Sequence, residues 1–173
     1  MTESSSLNVK WYSQSGQDEW AHSIVGDIGT FLDIGAGHPS KISNTYALEQ
    51  MGWAGLLVER DHNKCVALRK ERKSDVLEMD ARNLTSARGS TDYLSLDVDD
   101  SSIAFDIIAR LTLGGCRFRC MTIEHELYKE GPQGRDAMRF FLMRHGYKLA
   151  KEDVLCEGLE AFPYEDWYIQ CEL

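Results

Sequence analysis

The 173 residues, 43% of them hydrophobic, are enough to bury one sizeable core and leave little for a second, so a single domain is expected. The net charge of −9 argues against a surface for duplex nucleic acid, whose affinity rests on Lys and Arg neutralising phosphates, and favours a small or neutral partner. No stretch approaches the ~18 apolar residues of a membrane span, and the polar start Met-Thr-Glu-Ser-Ser-Ser lacks a basic segment followed by an apolar run, so a soluble cytoplasmic protein is expected.

Residues 1–12 are polar, with Trp11 and Tyr12 the first candidates for anchored side chains. From Gly16 to Ile28, the residues Trp20, Ala21, Ile24, Val25 and Ile28 recur at helical spacing, with Asp18 and Glu19 in the first turn. Residues 31–34 read as a buried strand running into the glycine turn Gly35-Ala36-Gly37. A helix follows from a cap at Ser43 or Asn44 to Met51, ended by Gly52. Leu56 to Glu59 form a second strand, 62–72 a helix, and Val76 to Met79 a third strand ending at Asp80. The polar text from Asp80 to Asp92, with Asn83, Ser86, Gly89 and Ser90, predicts a loop or a single turn.

Tyr93 to Val98 read as strand four, Ile103 to Leu113 as an apolar helix stopped by Gly114-Gly115, and Phe118 to Ile123 as strand five. A helix from Pro132 to His145, a strand at 147–150 and an alternating strand at 167–171 complete the pattern, while 126–134 and 156–166 read as loops on the substrate side. Strands alternating with helices predict an α/β fold with a largely parallel sheet covered on both faces. The five cysteines (65, 116, 120, 156 and 171) show no paired metal spacing, and Cys116-x-x-x-Cys120 has no matching second pair. They read as reduced, mostly buried thiols.

Ligands of open α/β sheets bind beyond the carboxyl ends of the strands, and three acids end consecutive strands here. Glu59 lies some 20 residues past the glycine turn, where a carboxylate accepts both hydroxyls of a ribose. Asp80, one strand further, is placed for an adenine amino group, and Asp33 for the amino-acid end of a cofactor. The ordinary alternative for each is a solvated strand end or a helix cap. Gly35-x-Gly37-x-x-Ser40 lacks the third glycine of a dinucleotide site, and Pro39 interrupts the approach to a helix N-terminus, which weighs against NAD. A shorter turn of this kind suits a nucleoside carrying an amino acid, with no phosphate to cradle.

These residues resemble a known family, the class I S-adenosylmethionine-dependent methyltransferases, and within it the FkbM-type group. The resemblance rests on Ser13-Gln14-x-Gly16-Gln17-Asp18, Phe31-Leu-Asp-Ile-Gly-Ala-Gly37 and Ser43-Asn44-Thr45-x-x-Leu48-Glu49. It continues through Gly52-Trp53-x-Gly55-Leu-Leu-Val-Glu59, Leu94-Ser-Leu-Asp97-Val-Asp99 and Thr122-Ile-Glu124-His125, covering most of 13–125 in the family's order. It implies a Rossmann-like, seven-stranded sheet in the order 3-2-1-4-5-7-6 with the last strand antiparallel. It implies S-adenosylmethionine as cofactor: Asp33, Gly35, Ala36 and Gly37 on its methionine and ribose side, Glu59 with the neighbouring Arg60 at the ribose, and Asp80 with Ala81 at the adenine. Gln14 and Gln17 would close over it from the leading segment, the ordinary alternative for Gln17 being the start of a helix.

The chemistry expected is in-line displacement from a sulfonium methyl onto a hydroxyl of a sugar or small natural product. His125 is the candidate general base, with Asp97 orienting it or the acceptor and also flanking the cofactor. Asp97, Asp99, Glu124 and His125 form in addition a candidate site for a divalent metal such as magnesium or manganese, which would lower the acceptor's pKa. A nicotinamide-dependent dehydrogenase and a catalytically silent cofactor-binding module are the competing classes. With no insertion long enough for a recognition domain, acceptor selection is expected from short loops, a second copy or a partner protein. The aromatic residues Trp53, Tyr128, Phe162, Tyr164 and Trp167 are candidates for an acceptor pocket, with core packing the ordinary role for most of them.

Overall fold

The computed structural model describes residues 9–85, 90–156 and 161–171. Seven strands form one sheet in the order β3-β2-β1-β4-β5-β7-β6. They are β1 (Thr30–Ile34), β2 (Ala54–Glu59), β3 (Asp75–Glu78), β4 (Ser90–Leu96), β5 (Arg117–Glu124), β6 (Tyr147–Cys156) and β7 (Phe162–Gln170). The first five are parallel, and β7 runs antiparallel to both β5 and β6. This is the Rossmann-like arrangement of the class I methyltransferase fold. No helix among the described residues is long and apolar enough to cross a membrane.

Six helices surround the sheet: α1 (Gln17–Val25), α2 (Tyr46–Gln50), α3 (His62–Glu71), α4 (Ser101–Leu113), α5 (Leu127–Glu130) and α6 (Pro132–Arg144). Strand alternation sorts the core into two layers. Leu32, Ile34, Leu94, Leu96, Met121 and Ile123 face α4 and α6, where Ile107, Leu111, Met138 and Leu142 meet them. Phe31, Leu57, Tyr93 and Cys120 face α1–α3 and pack on Ala21, Leu48, Trp53 and Leu68. Two helices start where the sequence supplies a side-chain cap: Asp61 accepts from Lys64 N for α3, and Asp100 from Ser102 N and Ile103 N for α4.

Three differences from the sequence reading bear on the site. The text 126–134, expected as loop, contains the short helix α5, entered through Glu126 in the left-handed region (φ 50°) and closed by Gly131. β6 continues to Cys156, well past residue 150. β7 begins at Phe162, so part of the expected 156–166 loop is sheet; residues 157–160 of that loop lie outside the described residues. Between β3 and β4 the described chain forms only a single turn, Ala81–Asn83, capped by Asp80, and 86–89 lie outside the described residues.

Candidate active site

β1 leads Ile34 directly into Gly35, whose φ is 83° and where a Cβ would lie 1.7 Å from the carbonyl oxygen of Asp97. Only glycine lets β1 and β4 come this close at their tips, where Asp97 N also donates to Ile34 O at 2.9 Å. Gly35 N and Ala36 N donate to Val58 O at 2.9 and 3.2 Å, which fastens the turn onto β2. The result is a cleft of about 390 Å³ at the carboxyl ends of β1–β4. Its walls include Gly35, Ala36, Gly37, Glu59, Arg60, Asp80, Ala81, Asp97 and Asp99. Met79, Val98 and Ile103 add apolar wall, and His38, Lys41, Lys64 and Arg82 contribute basic groups.

Glu59 is 6% exposed, with its carboxylate turned into the chain. Oε2 accepts from Gly37 N at 3.0 Å, and Oε1 from Arg60 N at 2.8 Å and Asp61 N at 2.9 Å. These main-chain donors fix its orientation and still leave lone pairs for a ligand diol. Asp80 lines the next wall. Arg82 holds it through Nε at 3.0 Å and Nη2 at 2.5 Å, and this side-chain hydrogen bonding holds its carboxyl down to about 2.

Asp33 is placed differently from the expectation. It shares the face of Phe31 and so points toward α2, 3% exposed and off the cleft wall. It accepts from Thr45 Oγ1 at 2.6 Å, and Thr45 Oγ1 in turn accepts from Arg72 Nη2 at 3.0 Å. Burial pushes the Asp33 carboxyl up against these opposing contacts. Arg72 also donates to Pro39 O at 3.2 Å and to Glu49 Oε2 at 3.0 Å, so a buried guanidinium pins the 38–45 segment behind the turn. Gln14 and Gln17 also lie away from the cleft lining. Asp18 accepts from Tyr12 N and Ser13 N and folds the segment back, so Gln14 meets Cys156 and Gln17 Nε2 donates to Tyr164 OH at 2.7 Å.

The expected four-residue constellation is divided. Asp97, Asp99 and Glu124 converge, with ligand atoms all within 4.8 Å of one another. His125 does not join them. As the residue after Glu124 it alternates away, is 2% exposed, and accepts from Leu127 N on Nδ1 at 3.3 Å. Its Nε2 lies 3.6 Å from both Asp153 and Asp166, so neither orientation by Asp97 nor a role as base on an acceptor fits its position. Those two aspartates are neutralised by Arg139, at 2.8 Å from Asp153 and 2.7 Å from Asp166. Burial would raise the Asp166 carboxyl, but Arg139 and His125 hold it well below the usual range.

Glu124 is pushed up by burial and by the adjoining Asp97 and Glu126 carboxyls, and Asp97, at the rim of the same cluster, is raised with it. Glu126 and Glu165 were missed in the sequence. The Glu-His-Glu run 124–126 hints at the first, but its left-handed backbone is not readable from residue type. The second sits within an expected loop that proves to be β7. Trp53 and Trp167 are core residues, whereas Tyr128 is 42% exposed and meets Phe162 in a tilted ring contact with centroids 4.1 Å apart.

No family model and no curated protein matches the chain. Solved structures do. Magnesium protoporphyrin IX methyltransferase (ChlM) from Synechocystis PCC 6803, a structure with bound S-adenosylmethionine, has a TM-score of 0.64 at 15% identity, over 91% of this chain and 79% of that one. An rRNA methylase from Streptococcus thermophilus has a TM-score of 0.60 at 11% identity, over 90% and 94% of the two chains. TehB from Haemophilus influenzae has a TM-score of 0.65 at 10% identity, over 91% of this chain and 62% of that one. At such identities the likeness shows a shared fold.

Proposed function

We propose that the chain is an S-adenosylmethionine-dependent methyltransferase acting on a hydroxyl of a sugar or small natural product. One observation carries the reading: a cleft of about 390 Å³ on the glycine turn, with Glu59 buried beneath it and held by three main-chain N–H groups. The fit is that of a nucleoside bearing an amino acid. Glu59 would take the ribose hydroxyls and Met79, Ala81, Val98 and Ile103 would enclose the adenine, with no glycine-rich helix start for a pyrophosphate. The FkbM-type motifs and the fold neighbours support the same reading.

The cofactor would supply a methyl group made reactive by the positive sulfur. The chain's part is to align the acceptor and receive its proton. With His125 turned away, the proton acceptor in this reading is the Asp97–Glu124 pair, whose crowded carboxyls are both raised toward proton uptake. A divalent ion on Asp97, Asp99 and Glu124 is the second arrangement, favoured by the 4.8 Å convergence of their oxygens. The setting of the reaction would be the cytoplasm, with acceptor selection resting on residues 126–131 and 162–165 or on a second chain.

The test is calorimetric titration with S-adenosylhomocysteine and, separately, NAD. Binding of the first alone is expected, and Glu59→Gln should weaken it by about 1.5–3 kcal/mol, at least tenfold, because hydrogen bonds to a charged acceptor are lost. Equal binding by the variant, or binding of NAD instead, would overturn the reading.

A further inference from the structure

Asp33 and Arg72 stand off the cleft wall, yet both are bound to the segment that forms its rim. The buried Arg72 guanidinium meets that segment at three residues. Nη1 donates to Pro39 O at 3.2 Å and to Ser43 Oγ at 3.5 Å, and Nη2 donates to Thr45 Oγ1 at 3.0 Å. The Thr45 hydroxyl has a single proton, which goes to Asp33 Oδ2 at 2.6 Å. Thr45 is fully buried, so losing its hydroxyl would leave Asp33 without this donor and Arg72 without this acceptor, both away from solvent.

The rim supported in this way is strained. His38, Lys41 and Ile42 line the cleft, and His38 Nδ1 accepts from Ser40 N and Lys41 N, both at 3.1 Å. The chain is therefore anchored just before Ile42 by His38 and just after it by Ser43 and Thr45. Between these anchors Ile42 has φ 46°, a left-handed conformation that a β-branched residue adopts only where its surroundings impose it. With Ile42 itself 69% exposed, that constraint comes from the anchors on either side and not from the packing of its own side chain.

We propose that Asp33, Thr45 and Arg72 are positioning residues for the cofactor, a buried relay that holds the strained Ile42 in place at the cleft rim. This rests on the reading of the cleft as an S-adenosylmethionine site and gives a task to buried groups which that reading leaves idle. Asp33 acts through Thr45 and touches no ligand. A rim fixed by the fold need not be ordered by the ligand, so the relay strengthens binding. Without the Thr45 hydroxyl the segment loses its link to β1, and Ile42 is free to relax to a negative φ and leave the cleft.

The experiment uses the full chain, calorimetric titration with S-adenosylhomocysteine and amide hydrogen exchange. Thr45→Val keeps the shape of the side chain and removes the hydroxyl. It should weaken S-adenosylhomocysteine about fivefold, the effect of one lost hydrogen bond. Exchange at the Ser40 and Lys41 amides should quicken about tenfold while the amides of β1 and β4 keep their protection. Thr45→Ser, which returns the hydroxyl, should restore both. Ser43→Ala removes a longer contact of the same guanidinium and should act in the same direction by about twofold, so it decides the matter if Thr45→Val does not fold. In an Ile42→Gly background, Thr45→Val should cost less than about twofold, because the rim contact is already gone. Thr45→Val binding like the parent, Thr45→Ser behaving like Thr45→Val, faster exchange throughout the sheet, or an additive loss of about twenty-five-fold in the double variant would each overturn the relay alone. A parent chain that does not bind S-adenosylhomocysteine would sink the cofactor reading and the relay with it.

Discussion

Two glutamates near strand tips divide the molecule into contrasting halves. Glu59, the last residue of β2, accepts three main-chain N–H groups, while Glu126, just past β5, is as deeply buried and is paired with the Lys129 ammonium at 2.7 Å. The cofactor half is completed by the chain's own backbone. On the side proposed for the acceptor, carboxylates converge at the tips of β4 and β5, and in that reading their charge is the guide to what binds there. The contrast extends to the supports: Arg72 behind the glycine turn meets Glu49, Pro39 O and Thr45, all buried, whereas Asp97 and Asp99 open onto solvent.

If the cofactor half is held by full pairing, removing its hub should produce the largest effect. Arg72→Met leaves Glu49 buried without its guanidinium, and the expected loss is about 3–5 kcal/mol. For a chain of this size that corresponds to a fall in Tm of roughly 6–20 °C, checked by thermal unfolding. A variant as stable as the parent would erase the distinction between the halves. Burial tends to raise the Glu49 carboxyl, but Ser74 and Arg72 outweigh it and hold the group low, so the pair is ionised near neutral pH.

The acceptor half makes the opposite prediction, that it is strained by its own charge. Glu165 at the start of β7 is fully buried, and burial pushes its carboxyl from 4.5 to about 8, although Trp167 Nε1 donates to it. Between those two values the folded chain keeps a proton that the unfolded chain has released. Its contribution is therefore intact below about pH 4.5 and falls as pH rises toward 8, by about 1.4 kcal/mol for each pH unit. Glu165→Gln should flatten that slope and stabilise the protein most at pH 8, measured as urea midpoints at pH 5, 6.5 and 8. Parallel curves for parent and variant would remove the argument for stored charge on this side.

The same division governs what could be read without coordinates. The glycine turn and the strand acids Glu59 and Asp80 are local signals, and the structure brings them together along one cleft. Asp33 was misplaced because the side on which a strand residue emerges depends on where neighbouring helices pack, here α2 and Arg72. His125 faces elsewhere for a related reason: one residue past Glu124 the strand alternates it to the other side, against Asp153 and Asp166. The Tyr128–Phe162 contact joins residues far apart in sequence and became visible only once β7 was seen to begin at Phe162.

The smallest expected effect sharpens the comparison within the cofactor half. Ile42 forms part of the cleft wall, is 69% exposed and has φ 46°, a conformation that costs an L-residue about 1–2 kcal/mol. Nothing in the packing of the chain explains a strained, exposed isoleucine at this rim, but a bound adenosine would cover it. Ile42→Gly should raise Tm by roughly 2–4 °C through relief of strain. It should also weaken S-adenosylhomocysteine about fivefold, since roughly 40 Å² of apolar cover is worth about 1 kcal/mol. The two readouts must move in opposite directions. If the variant gained stability with no loss of affinity, the strain would serve nothing in the cleft, and the cofactor half would be less completely matched to its ligand than Glu59 implies.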